Sequence, residues 1–227
     1  MIPIRDENPT HAAPVVTIAL IGVNLLVFIW QLALPPGSAE AAVYSLGLIP
    51  AVLFGSAELP AEIRTVPTLM TPLTSMFLHG GFLHLAGNML YLWVFGDNIE
   101  DRMGRGRFLL FYVLCGIAAA LAQALPDMGS TIPMIGASGA VSGVLGAYLL
   151  LYPRTPVLVA IPLLIVLYTF HMPALIVLGI WFVGQLLSSL AQAGEAGIAF
   201  RAHVGGFVAG LLLVRLFVRP GHPSRFS

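Results

Sequence analysis

The chain has 227 residues, 58% of them apolar and 9% charged, with ten basic residues balancing ten acidic ones. A soluble domain carries about 25% charged residues to face water, so an ordinary water-soluble globule is excluded and lipid is the solvent for most of the surface. Disorder, whose signature is low hydrophobicity, is excluded too, and zero net charge gives no case for a nucleic-acid partner.

Residues 1–13 read as a polar tail on the cytoplasmic side. A spanning helix needs roughly 20 apolar residues, and 14–34 is the first such stretch. Arg5 precedes it and Ala39-Glu40-Ala41 looks like a cleavage site. Its apolar core exceeds the roughly 7–15 residues of a signal peptide, so it reads as an uncleaved anchor. Residues 35–77 form the longest connection, punctuated by prolines yet apolar in composition. Such a segment is either packed protein or a piece lying in the membrane interface.

Further apolar stretches follow at 78–96, 107–125, 137–152, 172–193 and 202–218. A charged connection at 97–106 and a Pro/Gly-rich loop at 126–136 separate the earlier ones. Residues 157–170 are apolar but short and interrupted by Pro162. They suit an interfacial or re-entrant piece better than a span. Residues 219–227 read as a basic cytoplasmic tail, and 14–218 as one membrane domain. The single Cys115 has no intramolecular disulfide partner.

The count is six spans, with seven as the rival. With six spans and a cytoplasmic N-terminus, Arg5, Arg102, Arg105, Arg107, Arg154, Arg215, Arg219 and Arg225 lie inside. Only Arg64 and Arg201 lie outside, which obeys the positive-inside rule. A seventh span would weaken that bias by sending the last three arginines outside.

Polar residues inside spans are costly, so each is a functional candidate. The second stretch offers His79, His84 and Asn88; the fourth opens on Gly136-Ala137-Ser138-Gly139; the sixth opens on Ala202-His203. In the six-span topology these three helices run in the same direction, which brings the polar groups to similar depth. His84 and Asn88, four residues apart, share a helix face. His79, nine residues from Asn88, is expected to point elsewhere, toward the first connection. Gly206 and Gly210 form a small-xxx-small face that Gly139, Gly143 and Gly146 can meet. Close approach would let Ser138 bond to His203, the arrangement by which a base activates a hydroxyl nucleophile. No acidic residue stands in the outer half of any span, which points to a Ser–His dyad.

These residues resemble the motifs of the rhomboid family of intramembrane serine proteases. The family's His–four residues–His–three residues–Asn pattern stands here as His79, His84 and Asn88. Its Gly-x-Ser-Gly motif stands as Gly136-Ala137-Ser138-Gly139, and its Ala-His-x-x-Gly-x-x-x-Gly motif as Ala202-His203, Gly206 and Gly210. An acidic-x-Arg element stands as Glu100-Asp101-Arg102. The resemblance implies an all-α, six-helix membrane bundle with a long first loop. It implies that Ser138 is the nucleophile and His203 the base, with His84 and Asn88 lining the oxyanion hole. His79 would help to fix the first loop. It further implies cleavage of transmembrane protein substrates near the outer side, no cofactor or metal, and placement in the cell membrane with both termini cytoplasmic. Two departures stand out. The tyrosine that the family often carries four residues after the nucleophile is Ser142, and the first loop lacks a Trp-Arg pair.

Rival readings are a non-catalytic relative that binds transmembrane clients, a haem or metal protein using His79, His84 and His203, and a transporter. Gly-x-Ser-Gly alone is more often a packing patch than a nucleophile. Asp97, Glu100, Asp101 and Arg102 are expected to form a capped, salt-bridged helix end. Trp30, Trp93 and Trp181 read as core or lipid-facing aromatics. The first connection and the loop 194–201 are candidate gates.

Overall fold

The computed structural model describes residues 1–163, 166–191 and 200–219. The tail beyond 219 and most of the loop 194–201 therefore lie outside the described residues. In chain order the elements begin with β1 (Ile2–Asp6) and α1 (Val15–Ala33). The first connection then carries the short helices α2 (Pro36–Leu46), α3 (Pro50–Leu53) and α4 (Thr71–Thr74). Next come α5 (Phe82–Met103), α6 (Arg105–Ala124) and α7 (Ser138–Leu151). Strands β2 (Pro156–Leu163) and β3 (Val166–Pro173) precede α8 (Ala174–Ala191) and α9 (Phe200–Phe217).

Among the described residues, α1 and α9, and α6 together with the turn that follows it, are long and apolar enough to cross a membrane. Helices α7 and α8 are apolar but shorter. Helix α5 ends in Asp97, Glu100, Asp101 and Arg102, which dilutes its apolar character. The outer faces are greasy: Leu32 on α1 is 70% exposed, and Leu212 and Leu216 on α9 are 72% and 75% exposed. Such a surface is stable against lipid, not water.

The fold is mostly helical, yet it is not all-α as expected. The described residues of 157–170 belong to two paired strands: β2 pairs antiparallel with β3, from Pro156 opposite Pro173 to Leu163 opposite Val166. The supposed polar tail supplies the third strand, with Ile2 opposite Ala160 and Asp6 opposite Val157. The composition explains the outcome. Val157, Val159, Ile161, Val166 and Thr169 are β-branched, and Tyr168 and Phe170 are aromatic, residue types that suit a pleated surface. Pro162 would cost a helix interior about 3 kcal/mol. Val157 and Val159 are fully buried against the helices.

The charged end of α5 also differs from the expected salt-bridged cap. Glu100, which is buried, accepts hydrogen bonds from the backbone N–H groups of Val16 (2.9 Å) and Thr17 (2.7 Å). Asp101 accepts from the N–H groups of His11 (3.0 Å) and Ala12 (3.1 Å). Glu100 thus caps a neighbouring helix, α1, whose own Pro14 cap residue supplies no side-chain bond, and Asp101 holds the segment that leads into it. Satisfying these orphan N–H groups is the reason such acids sit there.

The central contact is between α7 and α9. A Cβ built on Gly206 would lie 2.0 Å from the Gly139 carbonyl oxygen, and one on Gly210 would lie 2.0 Å from that of Gly143. Both pairs step four residues in the same sense, so the two helices run parallel with backbones in contact. Only glycine permits this approach. The register sets Ser138 and His203, each one turn or less from the 139/206 contact, at the same level.

Candidate active site

Ser138 is the first residue of α7, so its N–H has no partner within that helix. The turn before it needs Gly136, whose φ of +124° few side-chain-bearing residues adopt. A Cβ there would lie 2.7 Å from His84 Nε2 and 3.6 Å from Ser138 Oγ, so the glycine lets the His84 ring approach the serine. The N–H of Gly136 donates to Ser75 O at 2.9 Å. Two residues earlier, Met134 exchanges backbone hydrogen bonds with Leu48 (2.7 and 3.0 Å). The first connection therefore holds the serine turn directly. It is itself held by the Thr74 hydroxyl, which donates to Leu46 O at 2.6 Å, and by the Ser45–Thr65 hydroxyl pair at 2.5 Å. These bonds anchor the loop without a Trp-Arg pair.

Ser138, His84, Asn88 and His203 all line one cavity of about 1060 Å³. The residues that sequence brought together by depth are thus brought together in space. No direct hydrogen bond joins Ser138 to His203 among the described residues. The His203 ring is held from the other side: Nδ1 lies 2.6 Å from Gln185 Oε1 on α8. An amide oxygen only accepts, so this contact is a hydrogen bond when Nδ1 carries the ring proton, which leaves the lone pair on Nε2. Trp181, one turn before Gln185, sets its ring 6.1 Å from that of His203. At the position where a tyrosine was expected, the Ser142 hydroxyl donates to Ser138 O at 2.6 Å. The start of α9 is fixed by Gln123 on α6, whose Oε1 accepts from the Ala202 N–H at 3.2 Å.

His79 departs from expectation. It precedes α5, which starts at Phe82, so helical angle does not govern it. Its Nε2 accepts from Asn88 Nδ2 at 3.0 Å, and its ring lies edge-on to His84 at 5.1 Å. Gln31 on α1 clamps its backbone, accepting from the His79 N–H at 3.0 Å and donating to its carbonyl at 3.3 Å.

Sequence reasoning missed Gln185, Gln123 and Gln31. Each is an uncharged polar residue in an otherwise apolar stretch, and that alone was the available signal. Trp181, read as core or lipid-facing, lines the cavity.

A model of the rhomboid domain matches residues 67–220. Similarity extends to the mitochondrial Rhomboid protein 1 of Saccharomyces cerevisiae, 32% identical over 206 residues, which is 86% of this chain and 51% of that protein. Rhomboid protease GluP of Bacillus subtilis is 36% identical over 143 residues, 62% of this chain and 25% of that protein. Rhomboid protease AarA of Providencia stuartii is 26% identical over 233 residues, 93% of this chain and 75% of that protein. The chain spans about half of the yeast relative and a quarter of the first Bacillus one. A helical membrane bundle built around a Ser/His/Asn-lined cavity and a rhomboid match over most of its length place this chain in the rhomboid family.

Proposed function

We propose that this chain is an intramembrane serine protease that hydrolyses peptide bonds of transmembrane protein substrates near the outer side of the cell membrane. The observation that carries the reading is that Ser138, His203, His84 and Asn88 line a single cavity beside the parallel α7–α9 contact. Two of the similar proteins are themselves called rhomboid proteases.

The residues that line the cavity support the following chemistry. Ser138 Oγ attacks the substrate carbonyl carbon while its proton passes to His203 Nε2. The C=O electron pair moves to oxygen. That oxyanion is met by the Asn88 amide, the His84 ring and the Ser138 N–H, placed where a helix dipole assists. The proton on His203 then goes to the departing amine as the C–N bond breaks. Water repeats the sequence on the acyl-enzyme. In an unliganded site the Ser–His bond is often open and tightens on substrate binding. The substrate helix must unwind locally to offer its carbonyl, so small, helix-weakening residues are favoured at the cut.

Six spans, α1 and α5 to α9, with both termini cytoplasmic, fit this reading. The β2–β3 hairpin returns the chain to the side it left, so only α8 intervenes and α9 runs parallel to α7. The test is cleavage of a reporter transmembrane segment in proteoliposomes. Wild type is expected to cleave, and Ser138→Ala and His203→Ala are expected not to. Cleavage by Ser138→Ala at the wild-type rate would overturn the assignment. A folded wild type that only retains transmembrane clients would instead favour the non-catalytic reading.

A further inference from the structure

Resting on the dyad reading above, the geometry points to Gln185 as the positioning residue that sets the tautomer and tilt of the His203 ring. In a Ser-His-Asp triad a third group, the carboxylate, holds the base, and in Cys-His-Asn sites an amide does so. Among the described residues no Asp or Glu is hydrogen-bonded to His203, and Ser142 is spent on the Ser138 carbonyl. The only side chain bonded to the ring among the described residues is the Gln185 amide, at 2.6 Å.

Two features support the assignment. Gln185 lies on α8, four residues after Trp181, so the two share a face. The indole ring lies 6.1 Å from the imidazole at a 33° tilt, and it also contacts Phe207 on α9. One helix thus supplies both a packing surface for the ring and an acceptor for its Nδ1 proton. Accepting that proton leaves Nε2 as the basic nitrogen, which is the atom the dyad needs on the serine side.

During attack the imidazole becomes an imidazolium, and the amide oxygen continues to accept from Nδ1–H. Gln185 exchanges no proton and touches no reacting atom. Among the described residues, the other ionisable groups lining the cavity are His84 and Tyr91 from α5, Asp127 from the turn after α6, and Arg201 from α9.

The test compares Gln185→Leu and Gln185→Glu with wild type in proteoliposomes, with Ser138→Ala as the inactive control. A misplaced catalytic group costs on the order of 10²-fold. Gln185→Leu is therefore expected to lower kcat by about that factor with KM within about threefold. Gln185→Glu keeps the acceptor and adds a charge that favours the protonated ring. It is expected to retain more activity than Gln185→Leu and to move the acidic limb of the kcat–pH profile to higher pH. A structural role alone would not move that limb. Imidazole ¹⁵N NMR of the folded Ser138→Ala protein gives a readout free of activity: Nδ1–H in the parent, mixed tautomers once Gln185→Leu is added. Wild-type kcat in Gln185→Leu with an unmoved profile in Gln185→Glu would overturn the inference while leaving the protease intact. Wild type that cleaves nothing would overturn the dyad reading instead, with the NMR arm still deciding the Gln185 bond. Loss of the folded state in Gln185→Leu, checked by thermal unfolding, passes the decision to Gln185→Glu.

Discussion

Gly206 on α9 presses its Cα against the carbonyl of Gly139 on α7, leaving no room for even a methyl group. That contact fixes the level of two helix starts, and with them Ser138 and His203. Overpacking a tight core costs about 1–3 kcal/mol per insertion, and here the obstacle is backbone, which yields less than a side chain. Gly206→Ala is expected to lower the unfolding temperature in detergent and to reduce cleavage at temperatures where it remains folded. Gly22→Ala, where nothing lies within 4 Å of the added methyl, is the matched control and is expected to match wild type.

The buried Glu100 carboxylate takes three hydrogen bonds at the start of α1, two from Thr17 and one from Val16. Removing it leaves N–H donors buried without partners. Such a loss costs about 1–3 kcal/mol. Glu100→Ala is expected to destabilise by that amount in reversible denaturation, and Glu100→Gln by less, because an acceptor remains. Equal stability of Glu100→Ala and wild type would contradict the capping role.

Burial lifts the Asp6 carboxyl from its ordinary 3.8 to about 7, and the nearby charge of Asp97 adds to the rise, while the bond to Tyr148 opposes it. Asp6 also accepts from Asn98 at 3.0 Å, tying β1 to α5. The folded state therefore holds a proton that the unfolded chain releases between pH 3.8 and about 7. The stability this contributes is complete below pH 3.8, declines across that window and is gone above about pH 7. The unfolding temperature is expected to fall between pH 5 and pH 8. Asp6→Asn is expected to flatten that slope and to exceed wild type at pH 8. An unchanged slope in Asp6→Asn would place the titrating group elsewhere.

Asn88 meets His79 through one amide hydrogen, which leaves the second for the cavity. Deleting a donor that meets an oxyanion costs about 10²–10³ in kcat. Asn88→Ala is expected to show that loss with little change in KM, measured on the reporter substrate. A loss confined to KM would make Asn88 a substrate-binding residue instead.

Ser138, His84, Asn88 and His203, which line the cavity, could be picked out in the sequence because each is a polar residue in an apolar stretch. The glycine faces were legible from their four-residue spacing, and the structure gives them physical content in the contacts of Gly139 and Gly143. The sheet was not legible in the same way. The apolar run at 157–170 has the composition of a strand, but its partner β1 lies some 150 residues away, in a segment whose polarity suggested a tail. The role of Glu100 was hidden for the same reason: its partners sit on α1, and sequence spacing shows only neighbours on its own helix. Gln185 is a single amide amid apolar residues, and only the fold reveals that it faces a histidine from the next helix.

The most direct test of the central claim is to map the site of a fluorophosphonate adduct. The folded protein, in detergent or liposomes, is treated with the reagent, digested and read by mass spectrometry. One adduct on the Ser138 hydroxyl is predicted, strongly slowed by His203→Ala and absent in Ser138→Ala. An adduct at another serine, or labelling of Ser138 that proceeds unchanged without the His203 imidazole, would contradict a hydroxyl activated by that ring.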